Sequence, residues 1–127
     1  MLAGAGLALV YQAISELERG VGPELAPQEV VARARAGEQI ATRTLDVYFA
    51  MLGGIAGDLA LTLGARGGIY LAGGILPRTV NELRNSRYRE AFIAKGRLRH
   101  YLEQIPSYLV VHPYPALLGL LHARELP

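Results

Sequence analysis

The chain has 127 residues, of which 51% are hydrophobic, and a formal net charge of +2. This is enough for one domain over residues 1–127 with a real core, and it is too hydrophobic for a disordered protein. The absence of cysteine excludes a disulfide framework and a thiolate metal site, and with only three histidines we expect no metal site. The small charge does not indicate a nucleic-acid partner. The glycine-rich start, Met1 to Gly4, is unlike a signal peptide, so we expect a cytoplasmic protein.

Glycine and proline delimit two helices at the start of the chain. The first has apolar residues at helical spacing and ends at Gly20; these residues are Leu7, Val10, Ile14 and Leu17. The Gly4-Ala5-Gly6 entry into this helix could offer free backbone N–H groups to an anion, or be an ordinary helix start. Pro27 opens the second helix and Gly37 ends it.

A long third helix is predicted from about Glu38 to Leu63. Its predicted buried stripe consists of Leu45, Tyr48, Leu52, Ile55, Leu59 and Leu63. Its apolar half carries Asp58 and is shorter than the ~20 residues needed to span a bilayer, so we expect a core helix and no membrane. Three glycines, Gly53, Gly54 and Gly57, would each cost about 1 kcal/mol relative to alanine. They predict that another backbone packs closely against this helix.

The stretch from Arg66 to Arg78 predicts a strand, a turn and a helix. Four apolar residues, Ile69 to Ala72, lie between two Gly-Gly pairs and predict a buried strand. The second pair, Gly73-Gly74, allows a sharp turn, and Pro77 suits the first turn of a helix. Ligands bind at such turns in open α/β sheets, although a tight connection without a ligand fits equally well. The chain contains neither the dinucleotide fingerprint nor a P-loop.

The last third predicts three short helices near residues 77–84, 86–94 and 98–105, a second buried strand from Tyr108 to Val111, and a closing helix from Ala116 to Glu125. Six basic residues occupy this region: Arg84, Arg87, Arg89, Lys95, Arg97 and Arg99. A solvated helix surface is the favoured interpretation. Phosphate or nucleic-acid contact is the weaker alternative, because no aromatic stacking platform or recognition helix accompanies the cluster.

The stretch from Gly68 to Arg78 resembles the adenosine motif of bacterial glucokinases, which belong to the actin–hexokinase–Hsp70 superfamily and phosphorylate glucose with ATP. The segments 2–14, 57–64, 92–97, 105–112 and 115–119 resemble the same family in the same order, so the resemblance covers the whole chain. Pro113-Tyr114 departs from the typical Asp-Asn of the family, in a loop near the expected adenine pocket.

The resemblance implies an α/β fold: the helix-rich C-terminal portion of a ribonuclease H-like (actin/hexokinase-type) lobe with two buried strands. It implies ATP with Mg²⁺ as cofactor, a homodimer, and glucose bound only through a preceding part. Gly73, Gly74 and Ile75 would lie against the adenosine, and the backbone of Gly4 and Ala5 near the terminal phosphates. The family's catalytic base, metal ligands and phosphate loops belong to preceding segments, so this chain would carry no catalytic residue and be inactive alone. Two alternatives remain: a non-catalytic nucleotide-binding or dimerising remnant, and the sugar-kinase-like part of a transcriptional regulator.

Overall fold

The computed structural model of the protein describes residues 4–123. In chain order the elements are α1 (Gly4–Arg19), α2 (Pro27–Arg35), α3 (Gln39–Leu63), β1 (Ile69–Leu71), a 3₁₀ helix (Leu76–Arg78), α4 (Val80–Arg84), α5 (Tyr88–Ile93), a 3₁₀ helix (Gly96–Leu98), α6 (Arg99–Glu103), β2 (Ser107–Leu109) and α7 (Pro115–Ala123). The strands β1 and β2 are parallel, with Ile69 opposite Ser107. The predicted helix-rich α/β fold is therefore confirmed.

Proline and glycine set the helix ends as predicted. Pro27 is the first residue of α2, where its missing N–H costs nothing. Gly37 follows α2 with a φ of 91°. Gly64 ends α3 in the left-handed conformation, and its N–H donates to the carbonyl of Ala60.

The helix α3 is the centre of the fold, in contact with α1, α2, α5 and α6. By length and composition alone, this helix of 25 residues could cross a membrane, because its most apolar 18-residue segment has a mean hydropathy of 1.3. Half of that window is buried inside the protein. The prediction of a core helix is therefore confirmed.

Two of the three glycines of α3 allow α5 to approach closely. A Cβ added to Gly53 would overlap the carbonyl oxygen of Tyr88, and one added to Gly57 would overlap that of Phe92. The predicted close backbone contact is confirmed at these two positions. At Gly54 it is wrong, because a Cβ there would meet no described atom within 4 Å.

The buried faces of α1 and α3 differ from the predicted stripes. In α1 the buried residues are Gly6, Leu7, Tyr11 and Ser15, while Leu17 is 87% exposed. In α3 the predicted Leu45, Tyr48 and Leu52 are buried, but from Gly53 onward the buried residues are small, and the predicted Ile55, Leu59 and Leu63 are exposed. The reason in α3 is the close approach of α5, whose backbone leaves no room for a side chain at Gly53 or Gly57.

Neither strand is buried on both faces, contrary to the prediction. Leu71 is buried, whereas Tyr70 and Tyr108 are 69% and 46% exposed. The two tyrosine rings stack with centroids 5.0 Å apart. Within residues 4–123 the sheet has two strands and nothing covers its tyrosine face.

The basic cluster is not simply a solvated surface. Arg87 pairs with Asp46 of α3 at 2.7 Å, and Lys95 pairs with Asp58 at the same distance. Arg89 donates hydrogen bonds to three carbonyl oxygens at the end of α6. The prediction of a solvated face is therefore wrong for Arg89 and Lys95, which tie α5 and the residues after it to α6 and α3. Arg87 is paired but remains exposed, as do Arg84, Arg97 and Arg99.

Candidate functional site

The Gly73-Gly74 turn follows β1 after one residue, Ala72, and is exposed. Neither glycine has a φ in the left-handed region, so the backbone here could accommodate other residues. A Cβ on Gly73 would make only an ordinary contact with Leu76, at 3.7 Å. A Cβ on Gly74 would meet nothing within 4 Å among the described residues. The turn therefore presents bare backbone to open space.

Ile75 differs from its two neighbours because its side chain is only 7% exposed and belongs to the core. Its carbonyl oxygen accepts hydrogen bonds from the N–H of Arg78 and the buried hydroxyl of Thr79, each at 3.1 Å. These bonds hold the 3₁₀ helix Leu76–Arg78 against the turn. A ligand beside the turn could thus contact Gly73 and Gly74 but not the side chain of Ile75.

Arg35, at the end of α2, fastens this helix to the segment after the turn. Its guanidinium donates to the carbonyl oxygen of Arg78 and to Oε1 of Glu82, each at 2.6 Å. The hydrogen bond from Arg35 holds the pKa of the Glu82 carboxyl below its usual value. The other carboxyl oxygen of Glu82 is buried and has no hydrogen-bond partner within residues 4–123.

A cavity of about 910 Å³ lies between the end of α2, the first half of α3, and α4. Its wall includes Arg35, Arg43, Asp46, Phe49, Glu82 and Asn85. Sequence analysis missed this cavity and the Arg35–Glu82 pair, because the two residues are 47 positions apart and no motif links them.

The predicted phosphate-side residues belong to α1. Gly4 and Ala5 are the first two residues of this helix that the structure describes. Gly4 packs beside the ring of Pro27, and Ala5 is exposed. Leu7 of α1 and Ile75 belong to the same hydrophobic core. Within residues 4–123, however, neither Gly4 and Ala5 nor the turn residues 73–75 line the 910 Å³ cavity or a second cavity of about 580 Å³ beside β2.

Side chains that could hold a metal are not gathered in this region. Among residues 4–123, no three histidine or acidic side chains lie close enough together to hold an ion.

Comparison with known proteins identifies the family. Residues 1–126 match the family described as Glucokinase. A glucokinase of Neisseria meningitidis (strain FAM18) is 44% identical over 98% of this chain and 38% of its own length. A glucokinase of Cupriavidus metallidurans is 46% identical over 97% of this chain and 37% of its own.

The fold agrees with this match. The crystal structure of a glucokinase from an Antarctic psychrotroph superimposes with a TM-score of 0.84 at 35% identity, over 96% of this chain and 38% of that one. The chain thus spans little more than a third of the length of these relatives. On both sequence and fold, the chain belongs to the glucokinase family.

Proposed function

We propose that this chain is the C-terminal nucleotide-binding part of an ATP-dependent glucokinase and forms the adenosine side of its ATP site. The activity would be transfer of a phosphoryl group from ATP, with Mg²⁺, to glucose. Such chemistry depends mainly on positioning and charge stabilisation, so a region without a catalytic base can still be essential to it. Membership of the glucokinase family and the geometry of the Gly73-Gly74 turn support this proposal.

The observation that carries the proposal is the open space beside Gly74. A glycine can serve a turn through a left-handed φ or through close approach of another group. Gly74 has no left-handed φ and no described neighbour within 4 Å of its Cβ position. Its place at the carboxyl end of a parallel strand is where α/β folds bind ligands. An adenosine approaching this turn would use the space that a side chain would otherwise fill.

The finer parts of the proposal follow the same reasoning. The backbone N–H groups of Gly4 and Ala5 would face the terminal phosphates, since the N-terminal end of a helix favours anions. Residues 1–127 would belong to a ribonuclease H-like lobe of a cytoplasmic, homodimeric enzyme. Glucose, the metal ligands and the catalytic base would belong to parts of the fold that this chain does not contain.

The test is a chimera in which this chain replaces the matching 38% of the Neisseria meningitidis glucokinase. We expect Gly74→Val to raise the KM for ATP at least about tenfold, equivalent to about 1.4 kcal/mol, and to leave the KM for glucose unchanged. The matched control is Gly67→Val, at the other end of β1, because Gly67 also has open space at its Cβ position and no left-handed φ.

Thermal unfolding of the same proteins separates binding from stability. We expect both variants to melt close to the parent chimera, because the Cβ position has no described atom within 4 Å at either glycine. An unchanged KM for ATP in a folded Gly74→Val chimera would remove Gly74 from the site. Equal effects of the two valines would show that the turn has no special role.

A further inference from the structure

The side chain of Arg35 joins α2 to the segment that follows the Gly73-Gly74 turn, through two bonds that we call the Arg35 bridge. Arg35 is the last residue of α2. Its Nη2 donates to the carbonyl oxygen of Arg78 and its Nε to Oε1 of Glu82, each at 2.6 Å. Because the guanidinium is planar and rigid, two bonds from it fix the orientation as well as the position of the acceptors. The bridge therefore restrains this segment relative to α2.

The segment that the bridge restrains is directly connected to the turn. Arg78 ends the 3₁₀ helix Leu76–Arg78, and its N–H donates to the carbonyl oxygen of Ile75 at 3.1 Å. Ile75 follows Gly74 in the chain. A 3₁₀ helix has weaker hydrogen-bond geometry than an α-helix, so a single turn of it depends on contacts from outside. A displacement of Arg78 would therefore be passed on to Ile75 and the turn.

The burial of Glu82 distinguishes the bridge from an ordinary surface ion pair. Its side chain is 20% exposed, and Oε2 is buried with no hydrogen-bond partner within residues 4–123. Burying a carboxylate costs free energy, and a buried ion pair is often no more stabilising than an apolar pair of similar size. An apolar pair could not, however, supply the directed hydrogen bond to the carbonyl oxygen of Arg78. The bridge thus provides geometry that packing alone would not.

The helix α2 contacts both ends of the proposed nucleotide site. At its first residue, the ring of Pro27 lies 3.3 Å from the Cβ position of Gly4. At its last residue, Arg35 bonds to the segment after the turn. Between these two residues, a pair of valines is buried in the core and fixes the helix in place. The helix α2 can therefore set the position of the turn relative to the start of α1.

We propose that Arg35 is a positioning residue of the ATP site, which holds the Gly73-Gly74 turn in the conformation that accepts the adenosine. This inference rests on the proposed function and deepens it. Arg35 would touch neither ATP nor glucose and would act through Arg78 and Ile75. Without the bridge, the turn would adopt further conformations. The apparent affinity for ATP would then fall in proportion to the fraction of molecules that keep the binding conformation.

The first experiment removes the bridge without leaving a buried charge. In the chimera described above, the double variant Arg35→Met, Glu82→Met replaces the ion pair by an apolar pair of similar size. We expect it to melt close to the parent chimera. The KM for ATP should rise about three- to tenfold, as for a turn that keeps its binding conformation roughly a tenth to a third of the time. The KM for glucose and kcat should change little, because the lost contact serves ATP binding alone.

The single variant Arg35→Met separates stability from binding. It should raise the KM for ATP as much as the double variant does. It should also lower the Tm, because the carboxylate of Glu82 would remain buried without a partner. Recovery of the Tm in the double variant, without recovery of the KM, is the result expected of a positioning residue. A merely structural residue would recover both.

The matched control is the double variant Arg33→Met, Glu29→Met, which removes another arginine–glutamate pair of α2. The two side chains of this pair lie 3.0 Å apart. The polar partners of Arg33 all precede α3; they are Glu29, Glu38 and Tyr11. We expect the control to keep the KM for ATP of the parent chimera, because this pair does not reach the segment after the turn.

The second experiment needs neither the chimera nor ATP. Amide hydrogen exchange of the 127-residue chain shows how firmly residues 75–79 are held, since the amides of Arg78 and Thr79 donate hydrogen bonds within this segment. We expect residues 75–79 to exchange faster in the double variant Arg35→Met, Glu82→Met than in the parent. The Arg33→Met, Glu29→Met control should leave their exchange unchanged.

Three results would overturn the inference alone. They are a folded double variant with the KM for ATP of the parent, an equal rise of this KM in the control, and unchanged exchange of residues 75–79. The Gly74→Val chimera recognises a failure of the proposed function separately. An unchanged KM for ATP in that chimera would remove the turn from the site, and the positioning role of Arg35 with it.

Discussion

Gly53 and Gly54 are neighbours in α3 but have opposite surroundings. A Cβ at Gly53 would overlap the backbone of Tyr88, whereas a Cβ at Gly54 would meet no described atom within 4 Å. We expect Gly53→Ala to lower the free energy of unfolding by about 1–3 kcal/mol, because α5 must move away. Gly54→Ala should raise it by up to about 1 kcal/mol, the difference in helix propensity. Urea unfolding of both variants measures the two changes.

Since the two substitutions are chemically identical and lie in the same helix, each is the control for the other. Loss of stability in both variants would contradict the close approach of α5 at Gly53 as its cause. A stabilised Gly53→Ala variant would mean that α5 does not lie against α3 at this position.

Glu82 makes the stability of the chain depend on pH. Its pKa is lowered in the folded state by the hydrogen bond from Arg35. A group with a lowered folded-state pKa stabilises the protein above its unfolded pKa, about 4.3 for a glutamate, and loses this effect as the pH falls through the folded-state pKa. We therefore expect Glu82→Gln to lower the Tm by a few degrees at pH 7, with the difference disappearing as the pH falls well below 4.3.

Thermal melts of wild type and variant from pH 7 down to pH 2 test this expectation. Glu16→Gln, at an exposed position of α1, is the matched control and should melt like the wild type throughout. A Glu82→Gln difference that is independent of pH would mean that lost packing, rather than the lost charge, causes it.

At the scale of elements, Arg89 is the side chain that joins α5 to α6. Its guanidinium donates to the carbonyl oxygens of Leu102, Glu103 and Ile105 at 3.2, 2.9 and 2.8 Å, and lies over the Phe92 ring. We expect Arg89→Met, which keeps the aliphatic stem, to lower the free energy of unfolding by about 1–3 kcal/mol, because the carbonyls at the end of α6 lose their donor. Denaturant unfolding measures this loss.

Arg97→Met is the matched control, since Arg97 belongs to the same basic cluster and is exposed. It should change stability by less than about 0.5 kcal/mol. Equal losses in the two variants would mean that the general charge of the cluster, and not the Arg89 contacts, stabilises this region.

The ends of α2 and α3 were predictable, but the buried faces were predictable only in part. Leu45, Tyr48 and Leu52 are buried as predicted, whereas Ile55, Leu59 and Leu63 are exposed. Pro27, Gly37 and Gly64 act through their own backbones, so the ends of α2 and α3 can be read locally. Which face of a helix is buried depends on what packs against it. The sequence could not reveal that α5 crosses α3 so closely that only small residues fit, and Leu59 and Leu63 were therefore assigned to the wrong side.

In the candidate site too, local features could be predicted from the sequence and contacts between distant residues could not. The Gly73-Gly74 turn is a local feature and could be located from its glycines and the strand before it. The Arg35–Glu82 pair and the cavity beside it join α2 to α4 across 47 positions, and no local pattern predicts them. Thr79 is also instructive, because only the fold explains a fully buried threonine, whose hydroxyl donates to the Ile75 carbonyl.

At the scale of the whole molecule, we expect the 127-residue chain alone not to phosphorylate glucose. It spans 38% of the Neisseria glucokinase, and its sequence offers no candidate base with a phosphate loop. A coupled assay for glucose 6-phosphate with ATP and Mg²⁺ measures this, with heat-treated protein as the control. Turnover above that control in homogeneous protein would show that this third of the fold is catalytically sufficient.

The parallel pairing of β1 and β2 has a consequence for the order in which the chain folds. Helices α1 to α3 can assemble from contacts between neighbouring segments. The sheet cannot form in this way, because Ile69 pairs with Ser107 and the segment that contains α4, α5 and α6 separates them in sequence. Contacts between distant residues form slowly, since the loop between them must first be closed. We therefore expect the sheet, which leads into α7, to form after the contacts among α1, α2 and α3.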